Sequence, residues 1–131
     1  MIKILIVDDS NMIRKQLRNL LSTIGYEIVE GKDGKEGLAA AIAESPDLVI
    51  TDLNMPHMNG LELITSLRQK EEFKLTPVIM LTTETTADLK AQGQQLGVRA
   101  WAVKPINEDN LMKILGKILK KRPEVAGVPS G

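Results

Sequence analysis

The sequence of 131 residues contains no cysteine and only one each of histidine, tryptophan, tyrosine and phenylalanine. Without cysteine there are no disulfides, no thiol catalysis and no thiolate metal sites, a composition that suits a reducing compartment. The lone histidine, His57, argues against a Ser-His-Asp triad or a histidine-rich metal site, and it reads as an exposed turn residue. An excess of either charge is missing too. Seventeen Lys+Arg balance seventeen Asp+Glu, whereas a dedicated nucleic-acid binder needs net positive charge to displace counterions from phosphates. The longest purely apolar stretch, Leu38 to Ala43, is far too short to span a bilayer. The opening MIKILIVDDS reaches two aspartates after a short apolar run and is no signal peptide. What is present suffices for one core. With 43% hydrophobic residues, a chain this long buries roughly two-thirds of the surface it exposes when unfolded. One soluble, cytoplasmic domain is expected.

Apolar runs and helical stripes alternate along the chain. Ile4 to Val7 is a continuous, β-branched-rich run, the pattern of a strand buried on both faces. Ser10 or Asn11 can cap a helix with the stripe Ile13, Leu17, Leu20, Leu21 and Ile24, closed at Gly25. Tyr26 to Val29 reads as a second strand, and Asp33 caps a helix that stops at Ser45-Pro46. Leu48 to Ile50 is a third buried run, followed by turn-rich residues 54–60 and a helix with the stripe Leu61, Ile64 and Leu67. Val78 to Leu81 forms a fourth strand. A polar helix with a mid-helix glycine, Gly93, ends at Gly97 and precedes a fifth strand, Ala100 to Val103. The last helix runs from about Asn107 to Lys121, and Lys113, Lys117, Lys120, Lys121 and Arg122 make it basic. Five strand–helix units imply an α/β fold with a parallel sheet, helices on both faces and right-handed crossovers. They occupy residues 1–122 and leave no output domain, with 123–131 read as a disordered tail. Gly31, Gly34 and Gly37 match neither a dinucleotide fingerprint nor a phosphate loop and read as a turn.

Ligands of open parallel sheets bind at the carboxyl ends of the strands. There the chain places Asp8 and Asp9 after the first strand, Thr51 and Asp52 at the third, Thr82 and Thr83 at the fourth, and Lys104 after the fifth. Each has an ordinary alternative: Asp9 or Thr82 as a helix cap, Asp52 as a turn residue, Lys104 as a surface lysine. Their joint occurrence at four strand ends is what points to a site. Three carboxylates and one ammonium carry a charge of about −2, and carboxylates so close disfavour one another's ionisation. A divalent cation resolves the conflict, and all-oxygen donors with room for water and phosphate favour Mg²⁺.

These residues resemble the receiver domains of two-component response regulators. The likeness runs from about Ile2 to Lys121. It rests on Asp8-Asp9-Ser10 with Arg14, Asp52-Leu53-Asn54-Met55-Pro56 with Asn59-Gly60, Thr82-Thr83-Glu84, and Lys104-Pro105. Asn54, Glu84, Ala100-Trp101 and the missing output domain resemble the CheY-type chemotaxis regulators most. The resemblance implies a doubly wound flavodoxin-like (βα)5 domain with strand order 2-1-3-4-5. It implies phosphorylation of Asp52 by a CheA-like histidine kinase, with Mg²⁺ held by Asp9, Asp52 and the backbone carbonyl of Asn54, and by Asp8 through water. Lys104 would pair with the phosphoryl oxygens and Thr82 would donate a hydrogen bond to one. Pro105 would follow a cis peptide, and Asn54 and Glu84 would tune dephosphorylation. Trp101 stands where Tyr or Phe is usual; it would either turn inward as Thr82 moves or simply cover the sheet edge.

The implied output is a protein target on the face of the fourth helix, fifth strand and fifth helix, such as a flagellar motor switch, with a phosphatase as a further partner. No nucleic acid or membrane partner is expected, and the chain reads as a monomer that catalyses only its own phosphorylation and dephosphorylation. A phosphate sink or phosphorelay intermediate uses the same chemistry without a motor target. A flavodoxin-like cofactor binder or a small Asp-nucleophile phosphatase fits less well. Asp8 and Asp9 would repel a flavin phosphate, aromatics for stacking are few, and Asn54 stands where such a phosphatase wants an acid.

Overall fold

A computed structural model describes residues 1–120. The expected tail, 123–131, and the basic Lys121 and Arg122 lie outside the described residues. Five parallel strands, β1 (Lys3–Val7), β2 (Glu27–Gly31), β3 (Leu48–Thr51), β4 (Val78–Thr82) and β5 (Val98–Val103), lie in the order β2-β1-β3-β4-β5. Helices α1 (Asn11–Ile24), α2 (Gly34–Glu44), α3 (Gly60–Arg68), α4 (Ala87–Gln95) and α5 (Glu108–Lys120) connect and follow them. This is the doubly wound order expected.

The period of two along a strand sorts the core into two layers. Ile4 and Ile6 of β1 pack with Leu48, Ile50, Ile79 and Leu81 against Leu17 and Leu21 of α1 and Leu111 and Leu115 of α5. Leu5 and Val7 pack with Val49, Val78 and Met80 against Ala41 of α2 and Leu63, Ile64 and Leu67 of α3. β1 is an interior strand, paired with β2 and β3, and its four apolar side chains are completely buried. Burying each contributes about 1.5–3 kcal/mol. That is why a continuous apolar run, and not an alternating one, marks this strand.

Local chemistry sets the boundaries. Ser10 is the cap of α1, its Oγ accepting from the Ile13 amide at 3.2 Å. Asp33 caps α2 at the Glu36 amide, and Asn59 with Glu62 forms a reciprocal capping box at α3. At the end of α1, Gly25 adopts φ +113, and the Tyr26 amide turns back to donate to the Leu21 carbonyl. Tyr26 therefore belongs to the helix closure, and β2 starts and ends later than the apolar pattern suggests. β5 starts earlier, at Val98. Its register against β4 runs Val78↔Val98 and then Ile79↔Ala100, leaving Arg99 as the extra residue of a bulge.

The three glycines are not a turn. Gly31 ends β2, while Gly34 and Gly37 lie within α2. A Cβ on Gly37 would stand 2.8 Å from Val7, and one on Gly34 would stand 2.4 Å from the Met58 carbonyl oxygen. Their bare backbone lets α2 lie against the sheet and the β3–α3 loop. His57 does sit exposed in that loop, at φ +70.

Candidate functional site

Parallel pairing of β1 with β3 brings the residues after Val7 and Thr51 to one edge. The Asp52 amide donates to the Val7 carbonyl at 2.9 Å, and the Asp8 amide to the Gly31 carbonyl at 3.1 Å. Asp8, Asp9 and Asp52 then each offer a carboxylate oxygen within 4.8 Å of the others. Asp8 and Asp52 are buried and Asp9 is exposed. From the end of β5, the Lys104 ammonium reaches Asp8 Oδ2 and Asp52 Oδ2, both at 2.8 Å. The remaining oxygens of the two buried carboxylates accept from backbone: Asp52 Oδ1 from the Leu53 amide at 2.6 Å, Asp8 Oδ1 from the Ser10 amide at 2.9 Å. The Lys104–Pro105 peptide is cis.

Burial pushes the Asp8 carboxyl above its ordinary value. The Lys104 ammonium and the Ser10 amide oppose that rise, and the Asp52 charge adds to it. Burial alone would lower Lys104, but its bonds to Asp52 and Asp8 outweigh that and hold the ammonium above its usual range. One cation thus leaves a cluster of three carboxylates under-compensated. The donor set of clustered carboxylate oxygens fits a hard divalent cation such as Mg²⁺.

A raised carboxyl favours the folded state while protonated. That stability is present below the ordinary value of 3.8 and is lost as pH rises through the raised one. Metal-free Asp8→Asn is therefore expected to exceed the parent chain in stability at neutral pH. The advantage should shrink as pH falls through the raised value and be gone below 3.8. Urea midpoints in a chelating buffer across pH check it; equal midpoints at pH 7 would contradict it.

The other residues singled out in the sequence meet at Glu84. Thr82, the completely buried last residue of β4, accepts the Glu84 amide on its Oγ at 3.3 Å, and its carbonyl accepts from the Lys104 amide at 3.0 Å. Asn54 Nδ2 donates to Glu84 Oε1 at 3.0 Å, and Trp101 Nε1 donates to the Glu84 carbonyl at 2.7 Å. The indole packs against the same core layer as Leu89, Leu96 and Val98, and a Cβ on Gly93 would stand 3.0 Å from it. The mid-helix glycine of α4 makes room for the largest side chain in the chain. Thr82 makes no hydrogen bond to the three carboxylates.

Two features escaped the sequence reading. Arg14 donates to the Asp8 carbonyl at 2.5 Å and pairs with Glu30 of β2 at 3.2 Å, tying the loop after β1 to the neighbouring strand. Gly60 is required by closeness: a Cβ there would lie 2.2 Å from the Asp52 carbonyl oxygen. Arg14 and the Asn59-Gly60 pair were visible as parts of the motif, but their contacts cross between elements and leave no local pattern.

A five-stranded parallel sheet of this order, with aspartates after β1 and β3 and a lysine after β5 converging at one edge, defines a receiver domain. The chain belongs to the response regulator receiver domain family, which matches residues 4–116. It is 38% identical over 120 residues to the chemotaxis protein CheY-3 of Vibrio cholerae, covering 91% of this chain and 92% of that one. It is 34% identical over 119 residues to the protein PilH of Pseudomonas aeruginosa, covering 91% and 98%. The structure of the Vibrio cholerae chemotaxis protein CheY4 superposes with a TM-score of 0.86 at 42% identity, covering 90% of this chain and 98% of that one. Receiver domains are signalling switches that bind Mg²⁺ at an aspartate cluster. No helix among the described residues is long and apolar enough to cross a membrane.

Proposed function

We propose that residues 1–122 form a receiver whose Asp52 takes a phosphoryl group from the phosphohistidine of a CheA-like histidine kinase, in cytoplasmic chemotaxis or motility signalling. The observation that carries this proposal is the Lys104 ammonium set 2.8 Å from both Asp8 and Asp52 within a three-carboxylate cluster. An Asp52 carboxylate oxygen attacks phosphorus, the P–N bond breaks, and the nitrogen keeps its electron pair. The Leu53 amide and Lys104 orient the carboxylate for that approach. Asp8, Asp9, Asp52 and the Asn54 carbonyl would hold Mg²⁺, which supplies neutralisation of the phosphoryl charge.

Lys104 then exchanges a carboxylate oxygen for a phosphoryl one. Thr82 is prepared for the same task, since its oxygen already accepts the Glu84 amide and its O–H remains free to donate. Movement of Thr82 withdraws support from Glu84, and Glu84 holds Asn54 by its carboxylate and Trp101 by its carbonyl. The change reaches the α4–β5–α5 face, where a protein target binds.

Acetyl phosphate with Mg²⁺ should add one base-labile phosphoryl group, mapped to the peptide holding Asp52, and chelation should prevent it. Absence of an adduct, or an adduct elsewhere, overturns the proposal.

A further inference from the structure

At the end of the sheet away from the aspartates, Arg68 and Arg99 line one cavity. At the last turn of α3, Arg68 donates from Nε to the Leu96 carbonyl at 2.9 Å and from Nη1 to the carbonyls of Phe73 and Thr76 at 2.7 Å each. Three carbonyls from two segments, the α3–β4 connection and the end of α4, fix the guanidinium and use three of its five donors. The two hydrogens of Nη2 have no partner among the described residues. Gly97, at φ +81, brings bare backbone close to that nitrogen: a Cβ there would lie 3.4 Å from it.

Arg99 is the second component. It is the unpaired residue of the β5 bulge, and bulges commonly re-aim a side chain. Its charge is close enough that, after burial, it is the further cause holding Arg68 below the usual arginine range. No carboxylate pairs with Arg68 or Arg99 among the described residues, whereas the nearby Lys74 is paired with Glu71. Two cations side by side repel each other, and a bound negative group relieves the repulsion. Between them lies a cavity of about 440 Å³, lined also by Lys74, Thr76, Gln95 and Gly97. That size is in the range of small-molecule sites.

We propose that this cavity binds the phosphate group of a small molecule, bridged between Arg68 Nη2 and the Arg99 guanidinium. A guanidinium already fixed by three carbonyls presents Nη2 as a free donor for a charge-assisted hydrogen bond to an oxygen of such a group. A second guanidinium matches its second charge. The Thr76 and Gln95 side chains supply polar lining. The site lies at the amino ends of β4 and β5, and so is separate from the aspartate cluster at their carboxyl ends.

The test is titration of the whole chain with inorganic phosphate in chelating buffer at constant ionic strength, followed by amide and arginine Nε–H resonances. Saturable shifts are expected at Gly97, Arg99 and the Arg68 Nε–H, with a dissociation constant of about 1–10 mM. Arg99 is exposed and makes no structural hydrogen bond among the described residues, so Arg99→Gln should stay folded. It should weaken binding at least about fivefold, a loss on the order of 1 kcal/mol. Asp52→Asn should leave the response unchanged. Shifts that never saturate, binding undiminished in Arg99→Gln, or a response abolished by Asp52→Asn would each overturn the inference. A positive result with no labelling at Asp52 would sustain this site while refuting the receiver chemistry.

Discussion

Asp52→Asn is expected to lose the phosphoryl adduct completely while remaining folded. The amide lacks the negative charge that makes a carboxylate oxygen nucleophilic enough to attack phosphorus. Structurally the change is small. Asp52 Oδ2 accepts from Lys104 and Oδ1 from the Leu53 amide, so the single carbonyl oxygen of asparagine can retain one of those bonds. The cluster charge falls from about −2 to about −1, which relieves repulsion among the buried carboxylates. Urea unfolding without metal should therefore show a variant no less stable than the parent chain. An adduct of unchanged yield in Asp52→Asn, measured by intact mass with acetyl phosphate and Mg²⁺, would refute the assignment of the acceptor.

Lys104→Ala separates positioning from metal binding. The ammonium is largely enclosed, with its side chain 14% exposed and that of Asp8 3% exposed. It is the only cation paired with Asp8 and Asp52 among the described residues. In the proposed transfer, removing it takes away the donor to the developing phosphoryl charge, and a loss of about 10²–10³ in rate is expected for a preorganised donor. The carboxylates remain, and the cluster becomes more negative, so Mg²⁺ affinity should hold or rise. Slower labelling with undiminished Mg²⁺ binding is the signature. A mere fold defect would lower both, and an unchanged rate would remove Lys104 from the mechanism. Metal-free stability should also fall, by about 3–5 kcal/mol, because two buried carboxylates lose their counter-ion.

Much of this arrangement was legible because the chemistry follows the strand ends. Ile4–Val7 and Leu48–Ile50 are apolar without interruption because both faces of β1 and β3 are covered, and Asp8 follows the first run directly while Asp52 follows the second after Thr51. Ser10 and Asp33 announced their helices by side-chain chemistry that acts within three residues. What stayed hidden depends on contacts between distant segments. Tyr26 looks like strand until its amide is seen closing α1, and Arg99 interrupts a strand pattern because a bulge displaces it. Gly34 and Gly37 read as a turn, since nothing in their spacing reveals Met58 and Val7 pressing on them. Glu84 was recognisable as a motif position. That Thr82, Asn54 and Trp101 all bond to it could be learned only from the folded chain.

The division of the core by the sheet bears on how such a chain can diverge. Among the described residues, the buried apolar side chains facing α1 and α5 and those facing α2 and α3 form two separate clusters. Energetic effects of replacements on opposite sides should then simply add. A lineage could therefore remodel one side without a compensating change on the other. The strand ends belong to neither half, so the aspartates and the lysine can persist while each flank drifts under its own history.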